Sequence, residues 1–150
     1  MTFRSYMDIA LDEARAAAAR GEVPVGAVIV DPQGQIVAQA GNRTRELSDP
    51  TAHAEVLVIR EACARLNAER LPDHDLYVTL EPCPMCATAI SFARIRRLYF
   101  GASDPKSGGV LQGPRIYDQS QCHHVPEVFD GIGEAPAAAL LKSFFAERRS

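Results

Sequence analysis

The sequence predicts an α/β protein with a mixed sheet in one domain spanning residues 1–150, and three observations carry that reading. After residue 50 the apolar runs alternate between helical and strand-like character, the order expected of parallel pairing with crossover helices. Before it, residues 23–40 hold two strand-like runs around a tight turn, which is a hairpin. The 150 residues suit one domain of about 100–200 residues, and no internal repeat or linker divides them.

The elements follow in order. An alanine-rich amphipathic helix is expected from about residue 5 to 20, ended by Gly21. Residues 23–30 form a dense apolar, β-branched run, a buried strand. Asp31-Pro32-Gln33-Gly34 carries turn chemistry, and residues 35–40 alternate as the returning strand. A polar loop spans 42–49, and the next helix opens at Pro50-Thr51-Ala52 with Asp49 as its cap. Val56, Ile59, Cys63 and Leu66 fall on one face of that helix, which places Cys63 in the core. Residues 76–80 predict a strand, 84–93 a helix and 97–101 another strand. A Gly-rich loop fills 104–113, and 124–129 is a short edge strand, since Pro126 argues against a central position. The last helix runs from about 134 to 149 with Ala138, Leu141 and Phe145 on one side.

Composition excludes several classes. Hydrophobic residues at 47% and charged residues at 23% match an ordinary soluble protein, without the excess charge of a disordered chain. No apolar run approaches the roughly 18 residues of a membrane span. The opening residues show no basic stretch followed by an apolar one, so a cytoplasmic location is expected. A net charge of −3 means that any nucleic acid would be held by local clusters: Arg43 with Arg45, Arg94 with Arg96 and Arg97, or Arg148 with Arg149. Each such cluster taken alone is first a solvated face. His74, in a polar turn, is expected at the surface.

Two short segments carry chemistry: His53-Ala54-Glu55 and Pro82-Cys83-Pro84-Met85-Cys86. In a reducing compartment the close cysteine pair reads as metal-binding or redox-active rather than as a structural disulfide. Both segments fall at a predicted helix start, where unpaired N–H groups and the helix dipole favour thiolate. His53, Cys83 and Cys86 would hold Zn2+ with the fourth tetrahedral position left for water, the arrangement of a catalytic site. Glu55 then stands as a proton carrier for that water. A histidine-x-glutamate with a proline-preceded Cys-x-x-Cys is the signature recorded for zinc deaminases of nucleobases. Two other readings stay open at this point: a closed site recruiting His123 or His124, and a redox pair that leaves His53 without a task.

Beyond these motifs the sequence resembles the cytidine deaminase-like superfamily and, within it, the bacterial tRNA-specific adenosine deaminases. The resemblance rests on Glu22-Val23-Pro24-Val25-Gly26-Ala27-Val28, Gly41-Asn42-Arg43, Thr51-Ala52-His53-Ala54-Glu55, Tyr77-Val78-Thr79-Leu80-Glu81-Pro82-Cys83, residues 101–106 and the tail 144–149. It implies a three-layer α-β-α cytidine deaminase-like fold with a five-stranded mixed sheet, and a homodimer with active sites near the interface. It also implies hydrolysis of the wobble adenosine to inosine in the anticodon stem-loop of a tRNA, customarily the arginine tRNA with anticodon ACG. No organic cofactor is implied. By the same resemblance Asn42 is expected to hydrogen-bond the flipped base, Asp104 to lie near the ribose, and Arg148 and Arg149 near RNA backbone. Asp104 also reads simply as a turn residue before Pro105. Residues 110–115 and 119–122 depart from the family's pattern, with Cys122 where an asparagine before histidine is common, so the resemblance assigns no residue-level RNA contact within 108–122. A deaminase of free guanine, cytosine or cytidine would use the same metal chemistry, and a zinc-stabilised RNA-binding module would need a closed, four-ligand site.

Overall fold

The computed structural model describes residues 5–149, with side chains through Arg148. The expected lack of a leader falls largely on residues 1–4, and the expected RNA contact of Arg149 on its side chain, both outside the described residues. The elements are α1 (Tyr6–Ala19), β1 (Gly26–Val30), β2 (Ile36–Gly41), α2 (Ala54–Leu66), β3 (Asp75–Leu80), α3 (Pro84–Phe92), β4 (Arg97–Ala102), a 3₁₀ turn (Ile116–Asp118), β5 (Glu127–Phe129) and α4 (Glu134–Arg149). None of the described helices is long and apolar enough to cross a membrane.

The five strands make one mixed sheet in the order β2-β1-β3-β4-β5. β3, β4 and β5 run parallel, as the alternation predicts, whereas β1 is antiparallel to both β2 and β3. The parallel pairing expected across α2 is therefore corrected. The hairpin reverses the chain, so β2 does run parallel to β3, but β1 lies between them and takes the hydrogen bonds. Alternation within strands splits the interior into two cores. Ala27, Ile29, Leu76, Val78, Leu98 and Phe100 face α2 and α3, while Val28 and Val30 face α1 and α4 with Met7, Leu11 and Ala137.

α1 starts at a capping box in which Ser5 Oγ accepts from Asp8 N at 3.1 Å and Asp8 Oδ2 accepts from Ser5 N at 3.0 Å. Its alanine richness has a packing cause. Ala10, Ala14 and Ala17 are fully buried, and they lie over Gly26 and Gly41, which pair with each other across β1 and β2. A Cβ on Gly26 would stand 2.0 Å from Ala10 O, and one on Gly41 2.7 Å from Glu13 O. Small residues on both sides let the helix lie almost on the backbone of the sheet.

Three expectations about burial change. On α2 the buried residues are Ala54, Glu55, Val58 and Ala62, while Leu66 is 45% exposed and Cys63 only flanks the core. The helix approaches the sheet through its small residues, and the larger apolar ones cover the rim. On α4 the buried side is Ala137 and Phe144 with Leu140 against them, one residue away from the predicted Ala138–Leu141–Phe145 stripe. One residue is about 100° of helix, which turns Leu141 and Phe145 into the groove described below. His74 is buried, 8% exposed, because its turn tucks under the connection from α3 to β4. There Leu71 N donates to Ala93 O, Arg96 N donates to His74 O, and the His74 ring lies 2.9 Å from Pro72 O.

Candidate active site

Two helix N-termini meet above the carboxyl end of β3. His53 is the N-cap of α2 and Cys83 the N-cap of α3, with Pro84 in the first helical turn. Neither side chain makes the usual capping bond to its own helix, because both turn towards each other. His53 Nδ1 lies 3.7 Å from Cys83 Sγ and 3.5 Å from Cys86 Sγ. With zinc–sulfur bonds of about 2.3 Å and zinc–nitrogen bonds of about 2.0–2.1 Å, tetrahedral coordination separates such donors by roughly 3.6 Å. Both nitrogen–sulfur separations thus match donors that share one zinc, and all three donor atoms lie within 4.8 Å of one another.

Among the described residues, His53, Cys83 and Cys86 form the one group of this kind, and Glu55 is not part of it. Neither is His124, whose Nε2 is 2.7 Å from Ile95 O. This removes the closed site that would recruit His124. The helix expected to begin at Pro50 begins at Ala54, since Asp49 Oδ1 accepts from Thr51 N and Thr51 Oγ1 at 2.9 and 2.7 Å and keeps that segment in a turn.

The three side chains of the cluster set one another's protonation. A hydrogen bond from the Cys86 thiol, joined by His53, brings the Cys83 thiol down to about 4, so a thiolate is present at neutral pH. The bond to Cys83 raises the His53 imidazole, and the Cys86 thiol is pushed up by its own hydrogen bond to Cys83 and then by burial. Glu55 is 4% exposed, and burial pushes its carboxyl up to about 7. A carboxyl group held near neutrality by burial is able both to take up and to release a proton.

The cluster opens into a cavity of ≈ 210 Å³ lined by His53, Glu55, Cys83, Val23, Val25, Leu80, Asn42, Thr44, Glu81, Asp104 and Ser107. Asn42 and Asp104, 62 residues apart in the chain, are brought together here with the cluster. Arg148 is not: its Nη2 donates to Gly21 O at 3.1 Å and its guanidinium lies 4.4 Å over the Phe144 ring. A groove continues from the cavity past Val23, Leu80 and Asp104 to Lys106, Leu141 and Phe145. The basic clusters are largely spent on internal contacts, Arg43 on Glu46 and Arg96 on Asp75.

Sequence reasoning singled out neither of the two acids that build the walls. Glu22, 1% exposed, accepts from Arg45 N at 3.1 Å and Glu46 N at 2.8 Å and so shapes the loop after Asn42, whose amide donates to Thr44 Oγ1 at 3.3 Å. Glu81, 2% exposed, accepts from Ser103 Oγ and from the N–H groups of Asp104, Val110, Leu111 and Gln112 at 2.9–3.2 Å. Burial alone would raise the Glu81 carboxyl, but those N–H groups outweigh it and hold it below the usual range. The available signal was an acid at the end of an apolar run, which is buried only where backbone donors meet it.

Comparison with known proteins agrees with this geometry. The sequence model of the cytidine and deoxycytidylate deaminase zinc-binding region matches residues 2–102. The tRNA-specific adenosine deaminase of Agrobacterium fabrum is 60% identical over 144 residues, 96% of this chain and 94% of that protein. A structure solved in studies of A-to-I editing by tRNA:A34 deaminases at the wobble position superposes with a TM-score of 0.89 at 60% identity, covering 91% of this chain and 98% of that one. The guanine deaminase of Bacillus subtilis superposes with a TM-score of 0.65 at 32% identity, covering 100% and 96%.

Proposed function

The chain belongs to the cytidine and deoxycytidylate deaminase family, and we propose that within it this protein hydrolyses the wobble adenosine of a tRNA to inosine. The expected substrate is the arginine tRNA with anticodon ACG. The observation that carries the reading is the shared cavity, which sets Asn42 and Asp104 beside His53, Glu55 and Cys83. The 60% identity to a tRNA-specific adenosine deaminase supports the choice of substrate.

At ≈ 210 Å³ the cavity is smaller than the roughly 300–1,000 Å³ of sites that enclose a drug-sized ligand, which suits a single flipped base with its ribose and phosphates outside. An anticodon loop offers such a base cheaply, because its nucleotides are already unpaired. Val23, Val25 and Leu80 supply apolar walls for the ring. Asn42 would hydrogen-bond its edge, and Asp104 at the mouth would meet the ribose.

His53, Cys83 and Cys86 would hold zinc, which when bound supplies the Lewis acidity that makes water a nucleophile near neutral pH. Glu55 takes a proton from the attacking water and passes it to the ring nitrogen beside the amino-bearing carbon; it then takes the second proton from the newly formed hydroxyl and hands it to the amino group, which leaves as ammonia. Its burial keeps solvent from competing for those protons. The homodimer belongs to the same proposal. Phe92, at the end of the helix that carries Cys83 and Cys86, is 68% exposed beside an apolar recess at Thr88, Ile116 and Cys122, which supports a protein-covered face.

The test is incubation of the zinc-loaded protein with an unmodified ACG-anticodon arginine tRNA transcript. Inosine at the wobble position is expected, with KM rising steeply with salt because phosphate contacts release counterions. No inosine, together with ammonia from free guanine or cytidine at a salt-insensitive rate, would overturn the reading.

A further inference from the structure

Glu81 is the most heavily bonded carboxylate at the site, and the chemistry proposed above gives it no task. It follows the last residue of β3 and precedes Pro82-Cys83, and its carboxylate is spent on residues 103–112. Oε1 takes Ser103 Oγ at 3.2 Å and Asp104 N at 3.0 Å, while Oε2 takes the N–H groups of Val110, Leu111 and Gln112 at 3.1, 2.9 and 3.0 Å. Asp104 in turn uses Oδ1 to accept from Lys106 N and Ser107 N at 3.2 and 3.0 Å. The loop is closed on Glu81 without space to spare: a Cβ on Gly108 would stand 2.6 Å from its Cδ and Oε2.

We propose that Glu81 is a positioning residue for the substrate: its carboxylate pins both ends of the 103–112 segment and thereby holds Asp104 as one wall of the base pocket. The proposal rests on the reading of this pocket as the site of a flipped nucleotide. Five converging donors meet a full negative charge there, and a neutral group of the same shape could not satisfy them all. The two oxygens are not equivalent in this respect. A glutamine would keep its carbonyl where three N–H groups converge, because an amide NH₂ facing three donors is the worse arrangement. Its NH₂ would then face Asp104 N, so Glu81→Gln severs mainly the bond that places Asp104. The Ser103 hydroxyl can rotate to accept from that NH₂, which concentrates the loss on residue 104.

The experiment compares wild type, Glu81→Gln, Asp104→Ala and the double variant, all zinc-loaded, on the ACG-anticodon transcript, with zinc content and hydrogen exchange measured alongside. Glu81→Gln is expected to keep one zinc per chain and a kcat within about twofold, with KM raised about tenfold, the loss typical of one hydrogen bond to a charged group. Exchange in 103–112 should accelerate while 84–92 is unchanged. If Glu81 acts through Asp104, the double variant has the KM of Asp104→Ala alone, whereas independent roles would multiply the two losses. Multiplied losses, an unchanged KM, or zinc lost from Glu81→Gln would each overturn the proposal. Should Glu81→Gln fail to fold, Gly108→Ala displaces the same loop with the carboxylate intact and must raise KM likewise; an unchanged KM there overturns it too. Failure of the substrate assignment is separate, since wild type would then leave the transcript untouched, and exchange in 103–112 would still decide the role of Glu81.

Discussion

Replacing Glu55 by glutamine removes its proton-carrying capacity with almost no change in shape, and the structure sets the size of the effect. A positioned acid–base group contributes about 10²–10⁴ in rate, or about 2.7–5.5 kcal/mol of barrier. Glu55 is 4% exposed within the cavity, so water and buffer ions reach the reacting atoms poorly and cannot stand in for it. The upper half of that range is therefore expected, a fall in single-turnover rate of about 10³–10⁴. Zinc should remain, because the matched donors belong to His53, Cys83 and Cys86 and Glu55 is outside their group. The assay is inosine formation with enzyme in excess over transcript, paired with metal analysis of the same sample. A rate within tenfold of wild type would refute the proton-carrier role. Loss of zinc in step with activity would refute it differently, by making Glu55 a residue that retains the metal.

Other perturbations separate site from scaffold. Cys86→Ser, at a fully buried donor, should abolish stoichiometric zinc binding and turnover yet leave the far-ultraviolet dichroism close to wild type, since neither apolar core is built from the donor residues. Gly26→Ala would drive a methyl into Ala10 O and push α1 off the sheet, costing about 3 kcal/mol of stability as read by urea denaturation, the upper end for overpacking. Tyr117→Phe deletes a 2.9 Å hydrogen bond to Ala87 O beneath α3 and should cost about 1 kcal/mol in the same assay with zinc retained.

Much of the site was legible in the chain because its parts are local. His53, Glu55, Cys83 and Cys86 lie at helix starts, and the chemistry of thiolate, imidazole and carboxylate depends on residue type and short spacing. The hairpin was legible for the same reason, its turn residues and alternation being contained in 23–40. Helix faces were less so. α2 buries Ala54, Val58 and Ala62 ahead of its larger apolar residues, and α4 is rotated by one residue from the apparent stripe. Apolar residues cover most of the circumference of both helices, and only contact with the sheet selects the angle. His74 illustrates the converse, a polar turn buried because the α3–β4 connection happens to close over it.

By itself the sequence determined the α/β class, the strand and helix order, and two short motifs that offer His53, Cys83 and Cys86 as candidate zinc donors, each of which follows from periodicity or from residue type at short spacing within a motif. Only the tertiary structure decided that β1 separates β2 from β3, that Asn42 and Asp104 share a cavity with the metal donors, and that Glu22 and Glu81 hold the walls carrying them. Those facts depend on which distant segments meet. A buried carboxylate is tolerable only where backbone donors from elsewhere in the chain converge on it, and no local pattern records that convergence.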